Sequence, residues 1–189
     1  MRETKKLTLS AILCALSVAV LSLGAFIETL DLSLTALTSL VIAFLYIEVG
    51  APYTWLSWLV TSLLCFLLFP AKPVWAEYLL IFGVYPILKG YIERLPRPLW
   101  LVLKLAFFAA SVSLFLWFLG WIFGTPVFGN GEMLSSFFYG WFPGWDARAL
   151  LGLLYAVCLV AAWAYDAFLT VVCRLYFMTL RKKFLRFLK

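Results

Sequence analysis

Six apolar runs, at 7–27, 32–49, 53–69, 74–92, 99–123 and 148–178, make up most of the chain and are parted by short polar or helix-breaking segments. Each is close to the ~20 residues that an α-helix needs to cross the hydrocarbon core of a bilayer. Glu28 and Asp31 mark the first break, Gly50-Ala51-Pro52 the second, Pro70 and Pro73 the third, and Pro96 and Pro98 the fourth. Glycine and proline punctuate helices because one lacks a Cβ and the other lacks an N–H donor. The pattern predicts an all-α polytopic membrane protein, a six-transmembrane-helix bundle forming one integral membrane domain over 1–189. The fourth run carries Glu77, Pro86 and Lys89 within it.

The long connection at 124–147 differs from the rest. It mixes Gly129, Gly131, Pro143 and Gly144 with Phe137, Phe138, Trp141 and Trp145. A solvated linker would not be so aromatic, so the segment is expected to rest on the membrane surface, with a short helix near 132–139. A loop of this length is a candidate lid.

Composition agrees with the pattern. The chain is 66% hydrophobic and only 13% charged, against about 25% charged in soluble domains. There are too few charges to cover a water-facing surface, so lipid is the solvent for most of it. The basic residues set the orientation. With the N-terminus inside, thirteen of the fifteen Lys and Arg fall on the cytoplasmic side, leaving Lys72 and Arg148 outside. The positive-inside rule therefore predicts an N-in/C-in topology. The first run is long enough to span and has no clear A-x-A-like cleavage site, so it reads as a retained helix. The tail at 180–189, L-R-K-K-F-L-R-F-L-K, alternates apolar and cationic residues and reads as an amphipathic basic segment at the inner leaflet.

Several functions are disfavoured by what the chain lacks. The net charge of +6 sits at the edges of apolar runs, not along a groove with interleaved aromatics, which argues against nucleic acid. Cys14, Cys65, Cys158 and Cys173 form no C-x-x-C pair and there is no histidine, so neither a metal site nor imidazole chemistry is signalled. No phosphate-binding glycine motif occurs, and no cofactor is expected. Glu28 with Asp31, or Glu132 with Asp146, would offer acid/base pairs, but no nucleophile motif accompanies them; we expect no enzyme. No inverted repeat of the spans supports a secondary transporter.

Ionisable groups near or in spans need partners or water. Glu28, Asp31, Glu77 and Arg148 map to the outer side near Trp75, Tyr78 and Trp145, and these seven are the candidate substrate-binding residues. Glu77 stands out because it lies inside a span. On the inner side Lys89 and Glu93 are spaced to pair along one helix face, and Lys104 can snorkel to the headgroups. Asp166 lies deep in the sixth run and is expected to meet Lys89, Lys104 or Arg174.

In the first run Ala11, Ala15 and Ala19 recur every four residues, a flat stripe that lets another helix approach closely. With that stripe behind Lys6-Leu7-Thr8-Leu9, the Gly50-Ala51-Pro52 turn and the stretch from Phe82-Gly83 to Lys89-Gly90, the chain resembles the substrate-binding S component of an energy-coupling factor transporter. The resemblance runs from Lys5 to about Arg97. It implies a vitamin-like small-molecule substrate held near the outer face, and a transmembrane coupling subunit, driven by two ATPase subunits, docked on Ala11, Ala15 and Ala19. It also implies the plasma membrane of a prokaryote. The alternative is a membrane scaffold of the MreD type, with similar size and helix count and no transport activity.

Overall fold

The computed structural model describes residues 3–122 and 147–180, and every regular element among them is helical. The elements are α1 (Glu3–Phe26), a 3₁₀ turn (Glu28–Leu30), α2 (Asp31–Glu48), α3 (Ala51–Leu68), α4 (Val74–Glu77), a π-helical turn (Tyr78–Phe82), α5 (Tyr85–Ile92), α6 (Arg97–Ile122), α7 (Ala147–Leu175) and a closing π-helical turn (Tyr176–Leu180). Five helical segments among the described residues are long and apolar enough to cross a membrane: Glu3–Phe26, Asp31–Glu48, Ala51–Leu68, Leu99–Ile122 and Ala149–Thr179. Leucine, valine and tryptophan side chains project outward along them, among them Leu16, Leu67, Val102 and Trp163. In water such a surface would aggregate; in lipid it is solvated. The chain is a helical, multi-pass membrane protein.

The fourth expected span, 74–92, differs from the sequence expectation. It is not one regular helix but α4, a π-turn, a two-residue turn at 83–84, and α5. Pro86 supplies no N–H to the carbonyl of Phe82, and its ring crowds that carbonyl out of line. Gly83 instead donates back to the Tyr78 carbonyl at 2.8 Å, an i→i−5 bond that widens the helix, and Ile87 and Leu88 both donate to Val84 at 3.1 Å.

The chain divides into two compact units. The larger comprises 1–95 with 164–189, the smaller 96–163. In the larger, α1 packs along α2 and α3, and α5 packs on α2. The buried face of α1 is Ser10, Ser17, Leu21, Gly24 and Ala25, and the buried residues of α2 and α3 include Thr35, Thr38, Ser39, Thr54, Ser57, Thr61 and Ser62. Lipid already solvates leucine well, so helices gain more by close approach of small side chains than by burying large ones. Thr35, Thr38, Thr54 and Ser62 donate back to carbonyls on their own helices at 2.8 to 2.9 Å, which satisfies the hydroxyls without a partner across the interface.

Two ends of this unit can be told apart. At one, the start of α1 meets the start of α3 where Tyr53 donates to Glu3. The end of α2 meets the end of α5 through Tyr46 and Tyr91, and Tyr176 donates to Glu48. At the other, Phe26 meets Phe69 edge-on with centroids 5.7 Å apart, and Gly24 lies against Asp31. Gly50 joins α2 to α3 at φ 103° and ψ 169°, a region open essentially to glycine alone. Gly50→Ala is expected to cost about 1–3 kcal/mol, measurable as a shift in reversible unfolding in mixed micelles.

In the smaller unit, Val112 and Leu116 of α6 pack on Leu150 of α7, with Leu119, Leu154 and Tyr155 around them. The Ser113 and Tyr155 hydroxyls share a hydrogen bond at 2.8 Å. Lys104 lies buried in α6 with its ammonium 4.3 Å from the Trp100 ring centroid.

Candidate functional site

Three features of the larger unit carry chemistry, and helix four with its break connects two of them. The first centres on Lys89 of α5 and Asp166 of α7. Lys89 is 8% exposed and Asp166 15%. The Lys89 ammonium donates to the Asp166 carboxylate, to the Asp166 carbonyl at 3.2 Å and to the Thr170 hydroxyl at 2.7 Å, and pairs with Glu93 at 3.0 Å. Tyr85 donates to the same Asp166 carboxylate at 2.5 Å, and the Thr170 hydroxyl donates to the Asp166 carbonyl at 2.8 Å. Two i,i+4 pairs, Tyr85 with Lys89 and Asp166 with Thr170, put these groups on facing helix faces. A charge this deep is tolerated only when its hydrogen-bonding capacity is met, and here it is. Of the three cations considered for Asp166, Lys89 is brought to it.

Beside this network lies a cavity of about 250 Å³, lined by Tyr46, Lys89, Gly90, Glu93, Cys173 and Phe177 among others. Gly90 makes room for it: a Cβ there would stand 2.4 Å from the Tyr46 ring. The cavity lies toward the end where α2 and α5 finish, opposite the end where the sequence places a substrate.

The second feature is Glu77, at the last turn of α4. It is 7% exposed, and its Oε2 is sealed from the surface without a hydrogen-bond partner among the described residues. Asp31, at the start of α2, is close enough to act on it electrostatically. Thus the structure brings Glu77 and Asp31 of the expected pocket together. The Trp75 indole donates to the Pro70 carbonyl at 3.3 Å and its ring meets Phe66 at 4.9 Å, while Tyr78 is wholly buried at the first residue of the π-turn. Both rings are held by packing at that end of the bundle. Trp145 and the side chains of Glu28 and Arg148 lie outside the described residues, as do residues 124–146 of the lid expected at 124–147 and residues 181–189 of the tail expected at 180–189.

The third is the α1 stripe. Ala11, Ala15 and Ala19 are exposed, on the side of α1 away from Ser17, Leu21 and Gly24. Ala11 and Ala15 border a shallow cavity of about 350 Å³ between α1 and α3, with Ser10, Cys14, Tyr53 and Ser57. Cys14 and Thr61 close its floor through an S···O contact of 3.2 Å.

Sequence reading missed Tyr85, Thr170 and the Tyr46–Phe177 cavity. The signal for the first two was present as i,i+4 spacing to Lys89 and Asp166; nothing local marks the cavity, which forms only where three helices meet. No protein-family model matches the chain, and comparison with curated proteins and with solved structures finds no match.

Proposed function

We propose that this protein is a membrane-embedded subunit that binds a small, vitamin-like solute for ATPase-driven uptake and docks through α1 on a transmembrane coupling subunit. One observation carries the reading: α1 turns Ala11, Ala15 and Ala19 outward while Ser10, Ser17, Leu21, Gly24 and Ala25 face the core. Small side chains on the outside of a membrane helix gain nothing from lipid, but they allow a second helix to come within backbone-contact range. The buried Glu77 at the far end supports a solute site there, since an intramembrane carboxyl marks function more often than architecture. In this reading the Glu3 end is cytoplasmic, the six spans include the interrupted fourth, and the membrane is the plasma membrane of a prokaryote. A scaffold of the MreD type would use the same α1 face without a solute.

The test is copurification with a coupling subunit and two ATPases encoded in the same genome. The wild-type chain is expected to copurify. Ala15→Trp is expected to melt within about 2 °C of wild type when alone and to lose the partner, because an indole holds the helices apart. Failure of wild type to associate would remove the transporter reading and favour the scaffold. A large drop in melting temperature without any partner would show that the stripe packs within the chain.

A further inference from the structure

The geometry points to Glu77 as the receptor for one monovalent positive charge delivered at the Phe26–Phe69 end of the larger unit. The inference deepens the proposed function, since it assigns a charge class to what that end of the bundle accepts.

A carboxylate buried in a membrane protein is costly unless a cation, a proton or hydrogen-bond donors compensate it. Glu77 is 7% exposed, and its Oε2 has no donor among the described residues. The elements packed against α4 are α1, α2, α3 and the π-turn. Within their apolar runs α1 and α3 contain no Asp, Glu, Lys or Arg, and their polar side chains are hydroxyls, thiols and the indoles of Trp55 and Trp58. From α2 comes Asp31, a second acid whose charge acts on Glu77. From the π-turn comes the Tyr78 phenol, adjacent in the chain. Lys72 stands in the connection before α4. What packs directly on Glu77 therefore repels its charge and does not balance it.

The size of the charge follows from the ligand set. Among the described residues no three His, Cys, Asp or Glu side chains converge to hold a metal ion, so no all-protein cage for a divalent cation is formed there. The buried Glu77 carboxylate carries one negative charge, which one monovalent cation balances. Three sources carry it: a proton, a sodium ion, or the ammonium group of a solute seated above α4. The position is fit for exchange, because α4 is only four residues long and gives way directly to the π-turn and to Gly83. Widened turns of this kind recur at functional sites, where the helix can re-form with its carbonyls redirected.

Melting of the full-length protein in mild detergent separates the sources. One arm replaces N-methylglucamine chloride with sodium chloride, a second with methylammonium chloride, and a third takes the sodium-free sample from mildly alkaline to mildly acidic buffer. Filling the site is expected to raise the melting temperature by about 3 °C or more in the arm that supplies the native charge. Glu77→Gln, a neutral isostere, is expected to abolish that response and to melt no lower than wild type without the cation. Three flat arms in wild type would overturn the proposal, as would a response that survives Glu77→Gln. If the variant does not fold, the wild type decides. A hydrophobic carbodiimide labels buried carboxyls, and the rate of Glu77 modification read by mass spectrometry must change with the cation that stabilises; an unchanged rate overturns the proposal. Copurification with the coupling subunit, scored on the same sample, reports separately on the docking function, so either reading can fail while the other stands.

Discussion

Lys89→Met and Asp166→Leu are each expected to destabilise the protein by about 3–5 kcal/mol, the cost of leaving one member of a buried ion pair without the other. The double variant is expected to recover most of that loss. The reason lies in how the pair is held. Lys89 directs its ammonium to the Asp166 carboxylate and carbonyl, to Thr170 and to Glu93, so removing Asp166 strips an 8%-exposed cation of its closest counter-charge. Removing Lys89 strands a carboxylate that is 15% exposed and retains the Tyr85 hydroxyl at 2.5 Å. Replacing both by apolar side chains of similar bulk removes the two desolvation penalties together. The residue of the loss is the Tyr85 hydroxyl deprived of this acceptor, worth about 1 kcal/mol, because Glu93 is 42% exposed and can turn to water. Unfolding of the four proteins in mixed micelles gives the coupling energy directly. A double variant as unstable as the sum of the singles would give zero coupling energy and mean that Lys89 and Asp166 contribute independently, which would overturn the pair's role.

Gly83→Ala is expected to lower stability by about 1–3 kcal/mol through overpacking, and more than Gly90→Ala. A Cβ at Gly83 would lie 2.6 Å from Trp58 Cδ1 and 2.8 Å from the Tyr78 carbonyl oxygen. That carbonyl is turned inward because it accepts the Gly83 N–H across the π-turn, so backbone as well as indole must move. At Gly90 the three atoms nearest the Cβ would all belong to the Tyr46 side chain, at 2.4 to 2.9 Å, and that side chain borders a cavity. Reversible unfolding ranks the two variants. The converse ranking would place the tighter constraint at the α2–α5 crossing and not in the π-turn. Circular dichroism adds a second readout: if the added Cβ re-forms a regular helix across 78–88, helicity rises as stability falls.

The effects share a cause in the interrupted fourth span. It carries Glu77 on one side of the break and Lys89 on the other, and the small side chain of Gly83 permits the break. A regular helix over the same residues would rotate the two ionisable groups relative to one another.

Much of this architecture was legible in the chain, and the reason is physical. Bilayer thickness acts on every span alike, so run length and the lack of charge are enough to mark the segments around α1, α2, α3, α6 and α7. The breaks at Gly50 and at Pro70 with Pro73 were equally plain, since glycine and proline act on backbone geometry within a few residues. A partner for Asp166 was foreseeable too, because a carboxylate that deep needs one. That Lys89 would be brought to it was beyond reach, for that depends on which faces of α5 and α7 meet. The tertiary structure alone decided that the expected fourth run carries a π-turn before Gly83 and Pro86, that Trp75 and Tyr78 are buried, and that Ala11, Ala15 and Ala19 face outward. Each follows from contacts between helices far apart in sequence: Trp58 against Gly83, Phe66 against Trp75, and the hydroxyl-lined faces of α2 and α3 against Ser17 and Gly24. Hydropathy specifies that a residue lies in the membrane, whereas the direction its side chain points is set by the neighbouring helix.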